Sequence, residues 1–177
     1  MVGAIRTEFL RYKALGEGAM AQLADSDLTA AAPGSNSIAV ICQHIGGNLR
    51  SRFTDFLESD GEKPWRKRDE EFEPQLTTRA QILDAWNAGW TVLLRTLDAL
   101  SEADLERRVT IRRQELTAGE ALLRALAHVS YHVGQIVYAA RATRGEAWTS
   151  MSIPKGQSAQ YNDAVARSAR RSDPAAS

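Results

Sequence analysis

The chain has 177 residues, with 22 Lys plus Arg against 22 Asp plus Glu, a formal net charge of zero and one cysteine. Its length favours one domain, the balanced charge excludes a domain-wide electrostatic attraction to nucleic acid, and the lone Cys42 excludes a disulfide framework. With no apolar run approaching a membrane span and no charged-then-apolar targeting pattern at the N-terminus, the expected setting is cytoplasmic and the expected partner is a small molecule or another protein.

In chain order, the first helix is expected from about Ala4 to Ala24, where Ile5, Phe9, Tyr12, Leu15 and Met20 recur at helical intervals. The turn-rich APGSNS then leads into a second helix from about Ser37 to Ser59, with Ile38, Ile41, Ile45, Leu49 and Phe56 along one stripe. Asp60-Gly61 ends it, and the charged connection SDGEKPWRKRDEEFEPQL follows, too long for a tight helical hairpin turn. A third helix is expected from about Thr78 to Leu100, offering Ile82, Trp86, Trp90, Leu93, Leu94 and Leu97. Ser101 to Asp104 starts a short helical turn, and RRVTIRRQELT reads as briefly extended, with Val109 and Ile111 pointing the same way.

Thr117 with Glu120 forms a capping box for a fourth helix that ends near Arg144-Gly145. Beyond it, EAWTSMSIPKGQSAQYN is expected to lie ordered across the helices through Trp148, Met151, Ile153 and Tyr161. The Ala-, Arg- and Ser-rich remainder reads as a disordered tail. The expected organisation is therefore an all-α domain over 1–161, with a tail over 162–177. Its long connections let neighbouring helices run parallel in a left-handed four-helix bundle.

The chain contains three histidines. His128 and His132 are spaced i,i+4 in the fourth helix, which puts both imidazoles on one face. Their row reads Ala121, Ala125, His128, His132, Gln135, Ala139, so small side chains flank the rings. His44 lies at the edge of the second helix's apolar stripe, near Asn48 in angle, and packing the two helices together would complete a three-nitrogen site with an open position. Spacing alone also fits a pair of hydrogen-bonded histidines. Other metal motifs fail: no Glu-x-x-His pair is present, the residue after His128 is Val129, and Cys42 points away from His44.

Several further residues are candidates for the pocket. Asn48 and Gln135 follow ligands on the same helix faces and could orient an imidazole or a bound species, although polar residues at a helix edge need no such role. Arg52 could read a substrate carboxylate or simply pair with a nearby acid. Trp86 and Trp90 could wall the pocket or fill the core, and Trp65, Arg66, Arg68 and Asp69 could cover one end of the helices. The arginines at 107, 108, 112 and 113 are diluted by Glu102, Asp104, Glu106 and Glu115, so they read as a solvated surface.

A histidine near the start of the second long helix followed by HxxxH in the fourth resembles the DinB/YfiT-like superfamily of metalloenzymes, over about residues 4–161. NLRSRFTDFLESDGEKPWRKRDEEFE and SIPKGQSAQYN are similar to one bacterial branch of unknown function. The resemblance implies a four-helix bundle with non-sequential helix order, a divalent metal ion (zinc or nickel) on His44, His128 and His132, and a homodimer. It also implies thiol chemistry, because characterised members include transferases and isomerases that use low-molecular-weight thiols such as bacillithiol or mycothiol. A metal-dependent hydrolase and a non-enzymatic dimeric bundle with a structural metal are the alternatives.

Overall fold

The computed structural model describes residues 1–171, with backbone alone over 168–171. The chain is mostly helical and divides into two compact units, the first Met1–Gly145 and the second starting at Glu146. The first unit contains α1 (Val2–Ala21), α2 (Asp25–Thr29), α3 (Ile38–Phe53), α4 (Arg79–Ala99) and α5 (Ala118–Arg144), with a hairpin of β1 (Arg108–Ile111) and β2 (Gln114–Thr117). The expected long helices are all present.

Their ends follow local chemistry. Ser37 Oγ accepts from Val40 N to start α3, and reciprocal Thr78–Gln81 and Thr117–Glu120 capping boxes start α4 and α5. Gly145, at φ +53°, ends α5 in a backbone region that favours glycine. α3 stops at Phe53, short of the expected Ser59, because Asp55 turns to φ +47°. Phe56 nevertheless stays buried, 5.2 Å from Phe53 between ring centroids. The five-residue α2 escapes a periodicity reading because it offers one buried side chain, Leu28. Arg79 braces this corner, donating to Asp25 and to the carbonyls of Met20 and Leu23 at the end of α1.

α3 packs along α4, and α1 along α5, around Phe9, Met20, Ile45, Leu49, Trp86, Trp90, Leu122 and Ile136. Trp86 and Trp90 are fully buried core side chains, their rings 5.3 Å apart, and neither lines the cavity described below. The idea that they wall the pocket is corrected by this burial: Trp86 fills the space over Gly16, and Phe9 stands edge-on to Trp90. At the α3–α4 contact the backbones nearly touch. A Cβ on Gly46 would stand 2.2 Å from the Ala85 carbonyl oxygen, and one on Gly89 would stand 2.7 Å from Gly46 Cα.

The hairpin pairs Val109 with Leu116 and Ile111 with Gln114, leaving Arg112 and Arg113 as a two-residue turn at φ +53° and +63°. Positive φ at both central positions defines a type I′ turn, where asparagine and glycine are preferred. Here Asp60 compensates by accepting both arginine amides at 2.8 Å, while Gly61 N donates to Thr110 O. The connection after α3 is thereby tied to the hairpin. As expected, Val109 and Ile111 share the buried face.

In the second unit, α6 spans Ser158–Arg171. The segment read as a tail is thus helical through 171, consistent with its alanines and arginines, which are strong helix formers; 172–177 lie outside the described residues. Ile153 and Tyr161 are exposed, and Trp148 and Met151 are half-buried. No described helix is long and apolar enough to cross a membrane.

The close α3–α4 contact is tested by Gly46→Ala and Gly89→Ala. Each should destabilise the protein by about 1–3 kcal/mol through overpacking. At exposed Gly134 a Cβ would meet no heavy atom within 4 Å, so substitution by alanine should instead stabilise the protein by about 0.5–1 kcal/mol. Urea unfolding reads all three.

Candidate metal centre

α3 brings His44, and α5 brings His128 and His132, to one place inside the first unit. One ligand atom from each of the three lies within 4.8 Å of the others. The ring centroids are 5.2 Å apart for His44–His128, 4.9 Å for His44–His132 and 4.6 Å for His128–His132. His44 is buried and the other two are half-buried.

The partners of the rings determine which nitrogens are free. Ionised Glu71 can only accept, so His44 Nδ1 donates to Oε2 at 2.9 Å, and in the neutral ring the lone pair lies on Nε2. His132 Nδ1 donates to Gln135 Oε1 at 2.7 Å, which leaves its Nε2 as a lone pair too. His128 Nδ1 is buried with no hydrogen-bond partner, while its Nε2 stands 3.2 Å from His44 Nε2. Two nitrogens bound tetrahedrally to one ion at ~2.0–2.1 Å lie ~3.3–3.4 Å apart. This pair therefore already has the spacing of metal ligands: with His44 Nε2 an acceptor, His128 Nε2–H donates to it, and an ion shared by the two nitrogens would take the place of that proton. The donor set fits a divalent ion.

Glu71, the residue that orients His44, was missed from the sequence. It arrives on a 3-10 turn, Asp69–Phe72, within the long connection, and is buried. Arg66 Nε and Nη2 donate to its two oxygens, both at 2.8 Å. Gly47 makes room for it, since a Cβ there would stand 2.3 Å from Glu71 Oε1. The glycine pair of α3 therefore has two tasks: Gly46 admits α4, and Gly47 admits the carboxylate. Phe72 lies against His44 with ring centroids 4.7 Å apart. A carboxylate behind a ligand histidine fixes its tautomer and its ring orientation.

Electrostatics keep the α5 rings neutral. Burial, followed by the charges of His132 and His44, pushes His128 down to about 3, and burial also lowers His132 against the opposing Gln135 hydrogen bond. For Glu71, burial alone would raise the pKa, but the hydrogen bonds and charges of Arg66 and His44 outweigh it and hold the carboxyl below its ordinary value. Cys42 lies buried against Met20 Sδ at 3.5 Å, and burial raises its thiol pKa, so it takes no part in the centre.

A cavity of about 190 Å³ opens beside His44 and His128, and Asn48 and Arg52 line it with them. Arg52 Nη1 donates to Gly61 O at 2.6 Å and to Glu62 Oε2 at 3.0 Å, so it pairs with an acid while still facing the cavity. Burial lowers its pKa, against the raising effect of Glu62. Of the residues expected to cover one end, Arg66 and Arg68 line the cavity; Trp65 and Asp69 do not.

A predominantly helical chain with three convergent histidines defines the class of protein. A family model described as Protein of unknown function (DUF1572) matches residues 1–157, and the chain belongs to that family. Neither a curated protein nor a solved structure matches the chain.

The signs of the shifts fix an acid dependence for chelator-treated protein. His128 has a folded pKa depressed from 6.5, so its contribution to stability is present above 6.5 and is lost as pH falls toward about 3. Glu71, also depressed, acts in the same direction from 4.5 downward. Unfolding free energy should therefore drop between pH 6.5 and 5 in the wild type and drop less in His128→Gln. Equal slopes in denaturant titrations across that window would contradict the assignment.

Proposed function

We propose that the chain is a divalent-metal-dependent enzyme in which His44, His128 and His132 hold zinc or nickel, acting as a thiol-dependent S-transferase or isomerase on a small molecule. The observation that carries the reading is the convergence of three imidazoles, two of which have Nε2 freed by Glu71 and Gln135. Among the described residues no fourth ligand joins the three histidines, and three nitrogen ligands with an open position make a catalytic rather than a structural type of centre. The resemblance to the DinB/YfiT-like superfamily supports thiol chemistry. It also supports reading the long helices as a left-handed four-helix bundle with crossover connections, and the chain as a cytoplasmic homodimer. The α3–α4 and α1–α5 pairings are in keeping with such a bundle.

When bound, the ion supplies Lewis acidity and stabilises a thiolate at neutral pH. The protein's own groups do the rest. Glu71 holds His44 in the Nδ1–H tautomer, and Gln135 does the same for His132. The depressed pKa values of His128 and His132 keep protons from competing for their nitrogens at pH 7. Asn48 lines the cavity, which supports a role for it in orienting a bound small molecule.

Untagged protein, stripped with chelator and reloaded, should take up about one zinc or nickel ion per chain, as a single three-histidine centre requires. His128→Ala and His132→Ala should each lose most of that ion while circular dichroism changes little, because Leu122, Val129, Val133 and Ile136 bury the helix independently. Turnover of an electrophile across a panel of low-molecular-weight thiols should follow metal content. Activity that survives complete metal removal would reject the mechanism, and collapse of the fold on metal loss would assign the ion a structural role.

A further inference from the structure

We propose that the cavity beside the histidines is an oxyanion-binding subsite, formed chiefly by Arg66, Arg52 and Arg124, for a carboxylate or phosphate group carried by the substrate. Its lining includes Arg52, Arg66, Arg68, Arg112 and Arg124 and contains no carboxylate. The acids that hold these arginines sit behind them: Glu62 binds Arg52 and Arg112, and Glu71 binds Arg66. Among the described residues Arg68 pairs with Asp69 alone, at 3.5 Å, and that carboxylate is fully exposed. Among the described residues Arg124 forms no ion pair. Guanidinium charge thus exceeds the carboxylate charge that positions it, and the excess faces the cavity.

Burial distinguishes this arrangement from a solvated basic surface. The Arg66 side chain is only 2 % exposed, and its Nη1 has no hydrogen-bond partner. While Nε and Nη2 grip Glu71, Nη1 is turned toward Glu62, the carboxylate shared by the cavity arginines 52 and 112. It stops 3.8 Å away, beyond hydrogen-bonding reach. Nη1 is closed off from solvent, so Arg66 contributes a fixed, dehydrated positive charge at the cavity wall, while the guanidinium groups of Arg52 and Arg124 offer the planar N–H donors that an oxyanion satisfies best. Arg52, 13 % exposed, stands beside it through the same Glu62, and Ala121 and Ala125 keep the α5 wall low. His44 and His128 share the lining, so an anion held here would be carried against the imidazoles. Assigning that anion to the substrate rests on the metalloenzyme reading; the anion site itself does not.

The test is calorimetric titration of chelator-treated, full-length protein with inorganic phosphate and with malonate at constant ionic strength, with malonamide as the uncharged control. Saturable binding of at least one anion and none of malonamide is expected. Affinity should fall about tenfold in Arg124→Gln, the cost of one charge-assisted hydrogen bond. In Arg66→Gln binding should be lost, with circular dichroism reporting whether that variant keeps its fold. Arg124→Gln removes an exposed side chain and keeps the test decisive if Arg66→Gln unfolds. Tighter phosphate supports the subsite with a phosphate-bearing substrate, and tighter malonate supports it with a carboxylate-bearing one. Absence of saturable binding, unchanged affinity in Arg124→Gln, or anion binding only after zinc is restored would overturn the proposal. Failure of the metal reading is distinguishable: protein that takes up no ion yet binds the anion rejects the metal centre and upholds the subsite.

Discussion

One carboxylate organises the functional end of this molecule. Glu71 is buried between a histidine and an arginine, each of which would be destabilised without it. Removing one partner from such a cluster costs more than the cluster contributes net, because a charge is left buried and uncompensated. The carboxylate draws the middle of the long connection onto α3, holds the His44 tautomer, and fixes two of the nitrogens of Arg66 so that the third is left over. The connection is therefore part of the site, although it contains little regular structure.

The glycines of α3 make that geometry compatible with a packed interior. Gly46 lets α4 approach to backbone contact, and its neighbour Gly47 accepts the Glu71 carboxylate. His44 lies two residues earlier, so the rotation of α3 that suits these contacts also points the imidazole at α5. On α5, alanines at 121 and 125 sit on the same row as His128 and leave open space where larger side chains would fill it. The cavity and the centre thus depend on small residues as much as on polar ones.

Much of this was legible in the sequence because it is periodic. The stripes of apolar residues located the four long helices, the capping residues located their starts, and the HxxxH spacing with a distant third histidine located the centre. Asn48 and Gln135 stood out because they follow His44 and His132 at helical intervals, and Arg52 because it lies near the apolar stripe; Asn48 and Arg52 line the cavity, and Gln135 accepts from His132. Glu71 was not, because it sits on a short 3-10 turn within a run of Asp and Glu, where no periodicity marks one acid as buried among several exposed. Trp86 and Trp90 were ambiguous because size and helical spacing do not separate a core tryptophan from a pocket wall. The composition of the last residues resembled a tail, yet alanine and arginine also favour helix, and Ser158–Arg171 adopts one.

The hairpin turn at Arg112-Arg113 has a consequence for how the folded chain meets proteases. Trypsin-like enzymes cut after arginine, but they bind the scissile segment in an extended form, and this exposed Arg–Arg pair is wound into a left-handed turn with both amides bound to Asp60. Cleavage there requires the turn to unwind and the Asp60 contacts to break first. The rate at which that bond is cut is therefore a clock for local opening between the hairpin and the connection after α3, at the wall of the arginine-lined cavity.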